Sequence, residues 1–210
     1  MYAADYWDEA SSALGGRDSL LAGLIVRHRG ARLSGSGDAF TTLANAIVGQ
    51  QISVAAASGI WGRLSLLCPG MRPQDIASAG TGELRSCGLS GRKVEYLQGI
   101  AKVFLRDDYS PASFDVLTDD EVRARLCALR GVGPWTAEMF LIFHLHRPDV
   151  LPVGDIGLQR AASRLYGWPA GESSAATRGR LSVLGESWRP WRTVAVWYLW
   201  RDLDVEPVVY

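Results

Sequence analysis

Apolar residues along this chain recur every three to four positions rather than every second one, the period of a helix with one buried face. That period predicts helices over roughly residues 19–29, 40–51, 54–67, 91–104, 118–129, 134–145, 155–166, 175–188 and 190–200. Breaks fall at residues 30–37, 68–73, 107–111 and 147–154, where Gly, Pro and polar residues cluster. Alternation of period two is scarce and no pair of segments reads as a hairpin of strands. The pattern therefore predicts an all-α chain of two helical lobes with a cleft between them. One lobe is expected over residues 35–125. The other is expected to join the N-terminus to residues 126–210, since chain ends often lie close together. The run Ala55-Ala56-Ala57 predicts a close helix–helix approach.

Between two of these helices lies Leu129-Arg130-Gly131-Val132-Gly133-Pro134-Trp135-Thr136-Ala137. Upstream, Thr118 and Glu121 have the spacing of a capping box, and Val122, Leu126 and Leu129 follow at helical intervals. The two glycines end that helix and permit a tight turn. Pro134 suits the first turn of the next helix, where no N–H is needed. Such a helix-hairpin-helix aims backbone N–H groups outward at a helix start, where a phosphate binds well. Gly-x-Gly alone fits an ordinary helical corner equally well. The full run through Ala137, with the lone carboxylate Asp155 downstream, points to an enzyme acting on a nucleotide.

Composition narrows the class. A hydrophobic content of 48% suffices for a sizeable core, and no apolar run reaches membrane-spanning length. The N-terminus lacks the basic flank and apolar core of a signal peptide, so a cytoplasmic, nucleoid-associated protein is expected. Cys68, Cys87 and Cys127 show no metal-ligand spacing and are expected to be buried thiols; with only His28, His144 and His146 beside them, a zinc site is not expected. Twenty-two cationic side chains balance 22 anionic ones, which counts against binding DNA by bulk charge. All but two of the cations are arginines, whose forks suit phosphates.

Four segments carry a family resemblance. They are Leu43 through Ser53 with its Gly49-Gln50-Gln51-Ile52-Ser53, Gly88 through Leu97, Leu129 through Ala137 with Leu151-Pro152-Val153-Gly154-Asp155, and Arg189-Pro190-Trp191-Arg192. In that order, over roughly residues 40–200, the chain resembles the helix-hairpin-helix superfamily of base-excision DNA glycosylases. It looks most like the branch of 3-methyladenine DNA glycosylase II, in a compact form without the N-terminal β-rich domain of larger bacterial relatives. The resemblance implies excision of N-alkylated bases from double-stranded DNA by a monomer, with the two lobes flanking a DNA-binding cleft.

It also implies roles for particular residues. Asp155 matches the catalytic acid, which stabilises positive charge on the sugar as the glycosidic bond breaks. Because it begins a helix, it also reads as an N-cap, and both readings hold together. Asp149 is the nearest rival carboxylate and matches a loop position. Trp135 and Trp200 match positions lining the base pocket, and Met139 stands where larger relatives place a tyrosine. Gly131, Val132, Gly133, Trp135 and Thr136 form the phosphate grip. Gln50, Leu89, Arg92 and Lys93 complete the set expected to contact DNA. The carbonyls of Cys127, Leu129 and Val132 match those that hold a monovalent cation, Na+ or K+. Bifunctional relatives carry a lysine where Trp135 stands, so no Schiff base is expected. No cysteine follows Cys127, so no iron–sulfur cluster is expected. The loop at residues 89–91 matches the wedge that fills the duplex after base flipping, but the expected leucine aligns with Gly91. Either Leu89 or the loop Gln50-Gln51-Ile52-Ser53 then supplies the plug, or flipping is less assisted in this chain. Trp61, Trp188 and Trp197 are assigned to the core.

Two other readings stand beside this one. A non-catalytic helix-hairpin-helix module would bind DNA or lesions without needing Asp155 or an aromatic pocket. A monofunctional relative acting on uracil, mismatched thymine or oxidised guanine would share the fold.

Overall fold

A computed structural model describes residues 5–34, 38–110 and 112–203. The tail 205–210, whose order the sequence leaves open, lies outside the described residues. Among these, α-helices and a short 3-10 turn at Asp107–Tyr109 make up the regular structure, and there is no strand. In chain order the helices are α1 (Trp7–Arg17), α2 (Ser19–Arg27), α3 (Ala39–Gly49), α4 (Val54–Leu67), α5 (Pro73–Ser78), α6 (Thr81–Ser86) and α7 (Gly91–Phe104). There follow α8 (Ala112–Asp115), α9 (Asp119–Cys127), α10 (Pro134–Phe143), α11 (Ile156–Leu165), α12 (Ser174–Glu186) and α13 (Arg192–Leu203). No helix among the described residues is long and apolar enough to cross a membrane.

The chain divides into two compact units. One holds residues 38–145, from α3 through α10. Helices α3, α7 and α9 start where short polar side chains cap them: Asp38 accepts from Thr41 N–H at 2.6 Å, Ser90 from Lys93 N–H, and Thr118 from Glu121 N–H. Buried α3 packs against α7 and α10 through Phe40, Leu43, Ile47, Phe140 and Leu141. Phe104, Tyr109, Phe114 and Phe140 extend this core as a chain of aromatic contacts.

The second unit joins α1 and α2 to α11, α12 and α13. Trp7 meets Trp197 edge-on at 5.1 Å and donates its indole N–H to the Tyr198 hydroxyl. Asp18, the N-cap of α2, also accepts from the Tyr166 hydroxyl at 2.6 Å, and Arg27 pairs with Asp202.

The division falls after Leu145, not near residue 125 as the sequence pattern predicts. The reason is packing: α10 is buried against α3, so the whole hairpin belongs with residues 38–145. The Ala55–Ala57 expectation also fails. Ala55 and Ala56 are exposed, Ala57 is half-buried, and Leu64 alone in α4 is buried. Of the expected core tryptophans, Trp188 and Trp197 are buried, whereas Trp61 is half-buried. Cys68 and Cys87 are buried thiols, but Cys127 is exposed at the last turn of α9.

Candidate nucleic-acid and catalytic site

The hairpin turn runs from α9 to α10, and its two glycines do different work. Gly131 has φ +93°, a conformation most side chains avoid, and a Cβ there would overlap the Tyr96 ring. Gly133 has φ −101° and open space where its Cβ would be. Its lack of a side chain leaves the backbone bare at the N-cap of α10, where the helix dipole favours an anion. Val132 is buried and pins the turn, donating its N–H to the Leu129 carbonyl at 3.1 Å. Thr136 is buried beneath it, and Trp135 is half-buried at the second position of α10.

Beside the turn, the Gln50 side-chain amide donates both to the Gly131 carbonyl at 3.0 Å and to the Thr136 hydroxyl at 2.9 Å. The Lys93 ammonium donates to the carbonyls of Val48 at 2.7 Å and Gln50 at 2.8 Å. Burial pushes its pKa below the usual lysine value. Lys93 was expected to meet DNA, but its ammonium caps the C-terminal end of α3, where carbonyls lack helical partners. Arg92, by contrast, is exposed at the start of α7.

Neither Leu89 nor Met139 lies where the resemblance implies. Leu89 is 4% exposed and Met139 1% exposed, so both are core residues of this unit. Leu89 presents no surface to a duplex and Met139 none to a base. Ile52, 39% exposed, and Gln51, exposed with φ +59°, stand out from the other candidate loop.

The carbonyls of Cys127 and Val132 accept no N–H among the described residues, while that of Leu129 accepts one and keeps a second lone pair. Neutral backbone oxygens are the kind of donor that a weakly bound monovalent cation accepts.

The carboxylate Asp155 lies in the other unit, where it is the N-cap of α11. Its Oδ1 accepts the Leu158 N–H at 2.5 Å and the Trp200 indole N–H at 3.0 Å. Gly157 gives this pair room: a Cβ there would lie 3.1 Å from Asp155 Oδ1 and 3.9 Å from Trp200 Cδ1. Trp200, expected as a pocket wall, is thus also a donor that orients the acid.

The preceding loop is tied to the start of α13. The Thr193 hydroxyl donates to the Arg147 carbonyl at 2.6 Å and accepts from Val150 N–H at 3.0 Å. Arg192 grips the Asp149 carboxylate through Nε at 2.6 Å and Nη2 at 3.0 Å, and Arg189 adds a bond at 2.7 Å. Asp149, the rival acid, is therefore neutralised by two guanidinium groups. Its role is structural, and so is that of the Pro-Trp-Arg motif. Gln159 donates to the Val153 carbonyl and closes the loop from the α11 side. Sequence reasoning missed the Asp149–Arg192 and Asp155–Trp200 pairs because more than forty residues separate each, and no periodicity links them.

Comparison with known proteins places this geometry. Residues 44–187 match the family model for HhH-GPD superfamily base excision DNA repair proteins. DNA-3-methyladenine glycosylase 1 of Schizosaccharomyces pombe is 30% identical over 186 residues, covering 86% of this chain and 79% of its own. The structure of a 3-methyladenine DNA glycosylase from the same yeast, in complex with abasic DNA, superposes with a TM-score of 0.82 at 28% identity, covering 92% of this chain and 95% of that one. A DNA-3-methyladenine glycosidase from Bacillus halodurans superposes with a TM-score of 0.74 at 35% identity, covering 96% and 92%.

Proposed function

Because the chain belongs to the HhH-GPD superfamily of base excision DNA repair proteins, we propose that it is a monofunctional DNA glycosylase that hydrolyses the N-glycosidic bond of N-alkylated bases, 3-methyladenine among them. The observation that carries this reading is the Asp155 carboxylate, fixed on one oxygen by the Leu158 and Trp200 N–H groups at a helix start. It fits relatives named for removing 3-methyladenine.

The target base is stacked inside duplex DNA, so its nucleotide must be rotated out before reaction. The bare backbone at Gly133 and the first turn of α10 hold a phosphate while this happens. The loop Gln50–Ser53, with Gln51 and Ile52 at its tip, fills the space the base vacates. Carbonyls of Cys127, Leu129 and Val132 would hold a monovalent cation, whose charge would strengthen the grip on that phosphate. As the C1′–N bond breaks, the bonding pair leaves with the base and positive charge grows on the sugar. Asp155 stabilises that charge, and water adds at C1′, releasing a proton to solvent, to leave an abasic site. An alkylated purine already carries positive charge and departs readily, so one carboxylate suffices. Indole faces such as Trp135 suit a cationic ring. With tryptophan at position 135 there is no amine to attack the sugar, and the strand stays intact.

The test is a panel of duplexes, each with one lesion, incubated with the protein and then treated with alkali. Strand breaks are expected at 3-methyladenine, and only after alkali. Asp155→Asn should abolish them while leaving duplex affinity near that of the wild type; full activity in that variant overturns the mechanism. Trp200→Phe keeps the aromatic face but removes the N–H. It should slow single-turnover excision roughly ten- to a hundredfold through loss of orientation, with little change in DNA affinity.

A further inference from the structure

Gln50 and Lys93 have chemistry suited to a phosphate or a base edge, yet both are spent on bonds within the protein. Lys93 reaches from the first turn of α7 to the last carbonyls of α3, those of Val48 and Gln50. Gln50 uses its side-chain amide on the Gly131 carbonyl and the Thr136 hydroxyl. Thr136 is itself 1% exposed, so this contact is inside the protein. The next residue, Gln51, sits at φ +59°, and Ile52 beyond it is 39% exposed. Ser53 then starts α4 by accepting the Ala56 N–H. The three-residue projection 51–53 thus leaves a point tied down twice, once by an ammonium to α3 and once by an amide to the hairpin.

We infer that Gln50 and Lys93 are positioning residues that join the projecting loop 51–53 to the phosphate-gripping hairpin as one rigid piece, and that Lys93 makes no phosphate contact. The inference rests on the glycosylase reading for what the loop does. With the hairpin seated on a phosphate, the loop tip enters the duplex at a fixed offset from it. The clamp therefore sets where the base is expelled rather than how tightly DNA is held. Cutting either tie leaves the hairpin and the acid intact but lets the tip wander, and misplacement of about an ångström is costly.

Salt dependence separates this role from a phosphate contact. Each phosphate contact contributes about 0.9 to the slope of log affinity against log salt concentration. Lys93→Met is expected to leave that slope unchanged on undamaged duplex, while Arg92→Met serves as the exposed comparator. The same variant should cut the fluorescence rise of a flipped 2-aminopurine and the single-turnover rate by roughly tenfold or more. Lys93→Arg, which keeps a cationic donor, should recover part of both. Gln50→Glu should be worse than Gln50→Ala, because a carboxylate would face the Gly131 carbonyl; this pair decides the matter if Lys93→Met fails to fold. A slope reduced by about 0.9 in Lys93→Met, or wild-type flipping in Gln50→Glu, overturns the inference. Flipping is read without excision. A wild-type protein that flips but excises nothing would therefore sink the glycosylase reading and leave the clamp standing.

Discussion

Asp155 shows how far a single residue can be read before its neighbours are known. An aspartate directly ahead of a helical pattern is legible as an N-cap, and it caps α11. Its second bond, from an indole forty-five positions later, follows no local rule and needed the fold. Leu89 and Met139 mark the opposite case. Matching by position assigned them to DNA and to the pocket, and burial assigns them to the core. His146 carries a prediction at this scale. Desolvation holds its pKa below the usual histidine value, its Nε2 is buried without a hydrogen bond, and its backbone sits at φ +50°. The unfolded chain therefore binds this proton more readily than the folded one. Stability from His146 is present above the ordinary histidine pKa of about 6.5 and is lost as pH falls through the lowered folded value. His146→Asn tolerates the left-handed backbone and cannot titrate. Denaturant midpoints at pH 7 and pH 5 should fall less on acidification in the variant than in the wild type.

At the scale of elements, helices with strong periodicity or capping signals were readable within a few residues. The capping box at Thr118 and Glu121 forms, and Pro134 opens α10. Helices α5 and α6 were missed because six residues each are too few to establish a period. Helix α1 was missed although Trp7, Ala10 and Leu14 share its buried face, since Ser11 and Ser12 between them and Gly15-Gly16 after them weaken the pattern. The hairpin was readable as a motif, but the sequence made its glycines look equivalent. Gly131→Ala should destabilise the unit by several kcal/mol, since a Cβ must displace the Tyr96 ring at a strained φ. Gly133→Ala should leave thermal stability nearly unchanged yet weaken duplex binding, because the added methyl covers backbone that faces the phosphate. Melting curves and binding isotherms for the two variants check this; equal losses of stability would mean that the turn, and not its bare surface, is what both glycines provide.

For the molecule as a whole, helical class was legible from periodicity and the division between units was misplaced by about twenty residues. Packing of α10 on α3 decides that division, and pairings between distant helices leave no mark on a sequence pattern. The union of α1 and α2 with α13 has a direct test. Removing residues 1–34 should strip the cover from Trp197 and Tyr198 and take Arg27 from Asp202 and Asp18 from Tyr166. The shortened chain should bind a hydrophobic dye and lose cooperative melting; a sharp, dye-free transition would show that α11–α13 hold together unaided.

The same union has a consequence for birth on the ribosome. Helices α1 and α2 are made before residues 38–145, yet the surface they cover belongs to α13, which is made after them. At about 5–20 residues per second, these two helices wait roughly ten to thirty seconds for their partner, with the apolar side of Trp7, Leu14 and Leu21 uncovered. The intervening segment has every contact of its own core in hand before then, so synthesis passes through a stage in which residues 38–145 are finished and α1 and α2 are not.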